Sequence, residues 1–208
     1  MRKNIIYSLL LVVAALFAGC ESRLDIAKHG NMGGQDDFYQ TDEQTEQAVA
    51  SMYSSLKGLY YNWFFTKNLL SDDVWCGGGQ RGDNTSLEQL NEYTYGTDNG
   101  MIQGVFSGLY GLIYQSNLVI EKVANDTPVK KRAIAEAKFF RAWANFELVT
   151  LWGTAPLVDH LLEPGEYRQG NSTPEALWAA VESDLNDAIS MNALPSKKNK
   201  DDQETGMR

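Results

Sequence analysis

A surplus of basic side chains is missing from this sequence: 18 Lys and Arg stand against 27 Asp and Glu, a formal net charge of -9. Non-specific nucleic-acid binding needs a basic face, so that class of function is disfavoured. Cysteine is nearly missing too. Two cysteines in 208 residues cannot staple a fold of this size, which excludes a disulfide scaffold. The histidines number two, His29 and His160, far apart in the chain, and make no zinc case. The glycine run at 77–79 is followed by no Gly-Lys-Ser or Gly-Lys-Thr, so it is not a phosphate loop. The Asp-x-Asn-x-Asp-Gly order of a calcium loop is also lacking. No metal and no cofactor is implied.

An apolar run of spanning length is lacking as well. Ile5 to Ala18 is the longest apolar stretch, shorter than the ~20 residues a membrane-spanning helix wants. It follows Arg2 and Lys3 and ends in Ala18-Gly19-Cys20, the layout of an export signal over residues 1–19. Cleavage there leaves 189 residues with a formal charge of -11, because two bases and no acid are removed. Residues 20–40 are polar and glycine-containing and read as a tether. Cys76 then stands alone, free or paired between chains, with no neighbour that makes it a catalytic thiol.

Helical periodicity dominates the remainder, residues 41–208. Thr41 and Gln44 have capping-box spacing, and Val49, Met52, Tyr53, Leu56 and then Leu59 or Tyr60 follow at three-to-four intervals. Gly58 weakens that helix, and Tyr61–Leu70 reads as a separate short one. Ser71 to Asn84 reads as a long loop, because three successive glycines disfavour a rigid element. A second long helix is expected over Met101–Val123, with Gly104, Gly108 and Gly111 free to permit close packing against a partner the letters do not identify. Thr127 and Pro128 open a third, whose stripe runs Ala133, Ala137, Phe140, Ala144, Leu148, widened by Phe139, Trp143 and Phe146; Gly153 and Pro156 stop it. A fourth begins near Ser172 or Thr173, with Pro174 and Glu175 in its first turn and the stripe Leu177, Val181, Leu185, Ala188, Ile189, and ends before Pro195. No period-2 series is long enough for a sheet. The expected class is all-α, with helix lengths that suggest helical-repeat packing, although no strict repeat period emerges.

Several stretches together carry a family resemblance. Leu16-Phe17-Ala18-Gly19-Cys20 resembles a bacterial lipobox, with Phe17 where Leu is usual. To it are added the helix from Thr41, Ser71-Asp72-Asp73 ahead of the aromatic-glycine loop, and above all Ala135-Glu136-Ala137-Lys138-Phe139-Phe140-Arg141-Ala142-Trp143-Ala144-Asn145-Phe146, ending through Trp152-Gly153-Thr154-Ala155-Pro156-Leu157. The chain resembles the amino-terminal part of a SusD-like (RagB/SusD) outer-membrane nutrient-binding lipoprotein. Its relatives are much longer, so it resembles a fragment or truncated form. The resemblance implies a surface lipoprotein held in outer-membrane lipid through acylated Cys20. It further implies an all-α fold of tetratricopeptide-like helix pairs with long irregular loops, oligosaccharide capture without catalysis, and delivery to a TonB-dependent outer-membrane transporter. The alternative is a helical surface scaffold that binds protein only.

Sugar recognition calls for flat aromatic faces against pyranose rings and for polar side chains that bond hydroxyls. Trp75, Arg81, Asp83 and Asn84 supply that mixture on one loop, and Tyr93 and Tyr95 offer a second platform. The competing reading has Trp75 partly buried as a pin for the loop. Adjacent Asp72 and Asp73 do not establish the spacing across a cleft that glycosidase chemistry needs. Glu136, Arg141, Trp143, Gly153 and Pro156 read as structural. Arg141 would pair with a carboxylate or cap a loop carbonyl, and Glu136 would serve as a helix neighbour's counterion.

Overall fold

Thr41 starts the first helix as its spacing predicts. In the computed structural model its hydroxyl accepts the Gln44 amide at 3.2 Å, and Gln44 Oε1 accepts the Thr41 amide at 3.1 Å. The structure describes residues 38–71 and 73–194. The chain divides into two units, Met1–Asp37 and Phe38–Arg208, and every described residue belongs to the second. The signal, lipidation and most of the tether readings therefore lie outside the described residues. Tyr39, assigned to the tether, is buried in the core.

Helix α1 (Asp42–Leu69) runs without a break, where the sequence suggests two helices. Gly58 is exposed, with open space where a Cβ would stand. Its helix penalty of about 1 kcal/mol is outweighed because Met52, Leu59, Thr66 and Leu69 carry one buried stripe past it. Helix α2 (Thr85–Asn91) is not predicted by periodicity, since its two turns offer only Leu87 and Leu90 to the core. Helix α3 (Gly100–Lys122) is capped by Asn99, whose carboxamide also donates to Ser86 O at 3.0 Å and so joins α3 to α2. The partner of the α3 glycines is α1. Gly104 faces Asn62, and a Cβ on Gly108 would come within 2.7 Å of Leu59 Cδ1; Gly111 faces open space.

Helix α4 (Pro128–Trp152) starts on Thr127 and ends on Gly153, whose φ of 74° suits glycine. Thr127 Oγ1 accepts the Lys130 amide and donates to Asp42 Oδ1 at 2.6 Å, joining the starts of α4 and α1. Helix α5 (Pro174–Ser190) starts on Thr173. The connection between them contains a 3-10 turn (Pro164–Glu166) and one bridge, Ser172 N to Ala155 O at 2.9 Å. Tyr110 of α3 donates to Pro156 O at 2.7 Å and holds this connection down; burial pushes its phenol up to about 12. The described residues contain no sheet, and the helices stack as pairs α1 with α3, α3 with α4 and α4 with α5. Leu109, Leu112, Phe140 and Leu148 are fully or almost fully buried between them. Each such side chain contributes about 1.5–3 kcal/mol.

The α5 stripe differs from expectation. Ile189 is 74% exposed, and the buried positions are Leu177, Val181, Asp184 and Ala188. Asp184 is inside because Arg141 of α4 comes to meet it. Arg141 Nε and Nη2 donate to its two oxygens, each at 2.7 Å. Nη1 donates to Asn117 Oδ1 at 2.8 Å and Asp159 O at 2.6 Å. Arg141 thus pairs with a carboxylate and caps a loop carbonyl at once. Glu136 forms an ion pair with Arg132 at 3.5 Å, one turn away. Phe139 and Phe146, expected on the apolar face, are exposed; Phe146 meets Trp178 edge-on at 5.7 Å. Trp143 packs beside Trp63 of α1 at 6.2 Å, an inter-helix contact.

Removing Arg141 strips the buried Asp184 carboxylate of its two short bonds and leaves it, among the described residues, only the longer contact with Lys138 Nζ, at 3.8 Å. Arg141→Met should lose about 3–5 kcal/mol in urea denaturation, and Arg141→Met with Asp184→Leu should recover most of it. Full stability in the single variant would contradict the pairing. His160, in the same connection, has Asp159 Oδ1 at 2.7 Å and Glu166 Oε2 at 3.2 Å from its ring nitrogens. The Asp159 hydrogen bond, then Glu166, raises its pKa above the ordinary histidine value of about 6.5. The resulting stabilisation is complete below that ordinary value and fades as pH rises through the raised folded value. NMR titration should place the His160 midpoint above ordinary histidine and Asp159→Asn should lower it; an unshifted midpoint in the unaltered protein would contradict the contact.

Candidate functional site

The connection from α1 to α2 has no regular element, yet side chains hold it at many points. Asp83 Oδ2 accepts the amides of Gly79 at 2.7 Å and Gln80 at 3.0 Å. Glu88 Oε1 accepts the amide of Gly82 at 2.7 Å, and Gly82 sits at a φ of 94° open to glycine. Asn91, the last residue of α2, accepts the Cys76 amide at 3.0 Å and donates to Val74 O at 3.4 Å. The glycine run is therefore pinned from α2 and from its own following turn.

Trp75 lies on this held loop with 84% of its surface exposed, so the partly buried pin is not what the structure shows. Its indole offers water a large flat apolar face with a polar N–H at one edge. Two open cavities flank it. One, about 250 Å3, is lined by Trp75, Gln80, Arg81, Glu88, Asn91 and Glu92, with Cys76 and two glycines at its edge. The other, about 320 Å3, is lined by Ser71, Asp73, Val74, Trp75, Asn91 and Tyr93. Arg81 is itself exposed and gives both terminal nitrogens to Glu92, at 2.7 and 2.8 Å. Asn84 caps α2, accepting the Leu87 amide at 3.3 Å.

The four sequence candidates occupy one loop but not one role in the fold. Trp75 and Arg81 line the cavities, whereas Asp83 and Asn84 hold backbone amides. Tyr93 joins the second cavity; its hydroxyl donates to Leu70 O at 3.2 Å and its φ is 56°. Glu88, Asn91 and Glu92 are missed by sequence reasoning because they lie on or just beyond α2. The available signal was Asn84 as an N-cap ahead of Leu87 and Leu90 at three-residue spacing. The Cys76 thiol is free, and burial, followed by Glu88 and Glu92, pushes its pKa up, which disfavours the thiolate. Among the described residues no cluster of three His, Cys, Asp or Glu is placed to hold a metal ion.

A second concavity lies elsewhere. Leu56, Tyr60, Trp63, Phe139, Phe140 and Trp143 line an apolar groove of about 260 Å3 between α1 and α4. It lacks the polar groups that would orient a hydroxylated ligand.

The fold and loop define an all-α protein of stacked helix pairs carrying a polar, tryptophan-bearing loop, and comparison with known proteins gives its family. A SusD-like family model, described as starch-binding and associating with outer membrane, matches residues 32–205. The chain belongs to the SusD-like family. It is 27% identical over 175 residues to SusD-like protein P2 of Formosa agariphila, covering 78% of this chain and 35% of that one. A SusD-like protein of Bacteroides ovatus is 32% identical over 166 residues, covering 73% of this chain and 29% of its own length. Among solved structures, a laminarin-binding SusD-like protein superposes with a TM-score of 0.70 at 28% identity, covering 80% of this chain and 37% of the other. The chain thus spans about a third of the length of the relatives it matches.

Asp83→Ala should free the Gly79 and Gln80 amides to exchange with solvent on the order of tenfold faster, with global stability changed by less than about 1 kcal/mol. Hydrogen exchange by mass spectrometry reads this directly. Unchanged protection of those amides would show that Asp83 does not hold the loop.

Proposed function

We propose that this chain is the ligand-capturing portion of a non-catalytic surface lipoprotein that holds oligosaccharides for a TonB-dependent outer-membrane transporter. The observation that carries it is Trp75, an exposed indole on a pinned loop between two polar-lined cavities. An indole face covers the apolar C–H face of a pyranose ring, while neighbouring carboxylates and amides take the hydroxyls. Arg81 and Glu92 form one polar edge, and Asn91 with Tyr93 forms another. Asp83 and Asn84 shape the loop with one oxygen each and offer their remaining polar atoms to sugar hydroxyls. The laminarin-binding relative supports an oligosaccharide as ligand.

Anchoring through acylated Cys20 follows from Leu16–Cys20 and agrees with a family model described as outer-membrane associated. Intact mass of the membrane-extracted protein tests it, and an unmodified amino terminus at Cys20 would overturn it. The second reading, a scaffold that binds protein only, is favoured by the apolar groove between α1 and α4.

Oligosaccharide arrays followed by calorimetry separate the two. Trp75→Ala should weaken the best oligosaccharide on the order of tenfold or more, about 1.4 kcal/mol, with the thermal midpoint unchanged. Equal binding by the variant would remove Trp75 from the site. No oligosaccharide binding by a folded, monodisperse sample would leave the scaffold reading, and turnover of bound oligosaccharide would overturn the non-catalytic assignment.

A further inference from the structure

We infer that the Trp75 site takes neutral glycans and discriminates against sulfated and uronate-bearing ones. This rests on the reading that the loop captures glycans, and it narrows the class of glycan.

Two features of the loop lead there. The first is its charge. Residues 70–99 hold one base, Arg81, against six acids, Asp72, Asp73, Asp83, Glu88, Glu92 and Asp98. Arg81 is already committed, because both terminal nitrogens of its guanidinium face Glu92 in a fork-to-fork pair. A sulfate or uronate seeking that guanidinium would have to displace Glu92 and then sit beside the displaced carboxylate. Glu88 lines the same cavity, and the second cavity adds Asp73 with no base. Both cavities therefore repel an anion rather than draw it in.

The second feature is where the glycine amides point. A glycine-rich turn is the usual place for a backbone nest that cradles an anion. Here the amides of Gly79 and Gln80 are taken by Asp83, that of Gly82 by Glu88 and that of Cys76 by Asn91. The chain's own side chains thus take four of the backbone amides that an anionic ligand would otherwise use. The side chains lining the cavities offer a ligand an aromatic face plus carboxylate and carboxamide acceptors, and those suit hydroxyl donors.

The test uses the full chain on an array of neutral oligosaccharides, each printed beside its sulfated derivative, at low and at physiological ionic strength. Every neutral member that binds should do so at least tenfold more tightly than its sulfated partner at low salt. The gap should narrow as salt rises, because screening weakens repulsion between exposed charges. Glu92→Gln, which releases Arg81, should narrow the gap at constant salt. Sulfated partners that bind as well as or better than neutral ones would overturn the inference and leave glycan capture standing. A gap unchanged in Glu92→Gln would overturn its electrostatic origin. Failure of both classes to bind would overturn glycan capture, and this inference with it.

Discussion

The fork between Arg141 and Asp184 is the constraint around which the helices are set. An arginine and an aspartate, both nearly excluded from water, meet through two hydrogen bonds of 2.7 Å. The same guanidinium reaches Asn117 of α3 and the carbonyl of Asp159. One side chain on α4 therefore fixes the α3 and α5 neighbours and the connection after Gly153. Desolvating two charges costs several kcal/mol per ion, and the bonds from Nη1 to Asn117 and to the Asp159 carbonyl offset part of that cost. Apolar packing brings the helices together, but it is indifferent to small rotations; the fork is not.

The loop is built on the other end of this scaffold's logic. Helix α1 carries Lys67, whose ammonium meets the buried carboxylate of Glu147 on α4 at 2.9 Å. Its last turn then packs Leu69 against Leu87 and Leu90 of α2. Helix α2 in turn supplies Glu88 and Asn91, which hold the glycine-rich segment, with Glu92 just beyond its end. Rigidity passes from the core to the loop through a small apolar cluster, and Trp75 can remain in water because its backbone is held by others. An exposed indole on a loop without those bonds would collapse onto the nearest apolar surface.

What could be read from the letters follows from how local each interaction is. Thr41 with Gln44, Thr127 with Pro128 and Thr173 with Pro174 announce helix starts because a cap is made within four residues. The stop at Gly153 is legible for the same reason. Gly58 misleads, since its local penalty says nothing of the stripe that continues beyond it. Asp184 is invisible as a core residue because its partner is 43 positions away, and an acid at that spacing looks like a solvated face. In the site, Trp75 and Arg81 stand out as unusual chemistry in a glycine-rich stretch. Glu88, Asn91 and Glu92 do not, because the helix that presents them is too short to show a period. The exposure of Phe139 and Phe146 was hidden too, as periodicity names an apolar face without saying what covers it.

Five tryptophans mark the competing surfaces: Trp75 on the loop, Trp63 and Trp143 in the apolar groove, and Trp152 and Trp178 elsewhere. The most direct measurement is the indole N–H spectrum of 15N-labelled protein as a bound neutral oligosaccharide is added. Capture at the loop predicts that the Trp75 resonance moves with saturation while those of Trp63 and Trp143 stay in place. A stationary Trp75 with shifts confined to Trp63 and Trp143 would contradict it and move the binding surface to the groove.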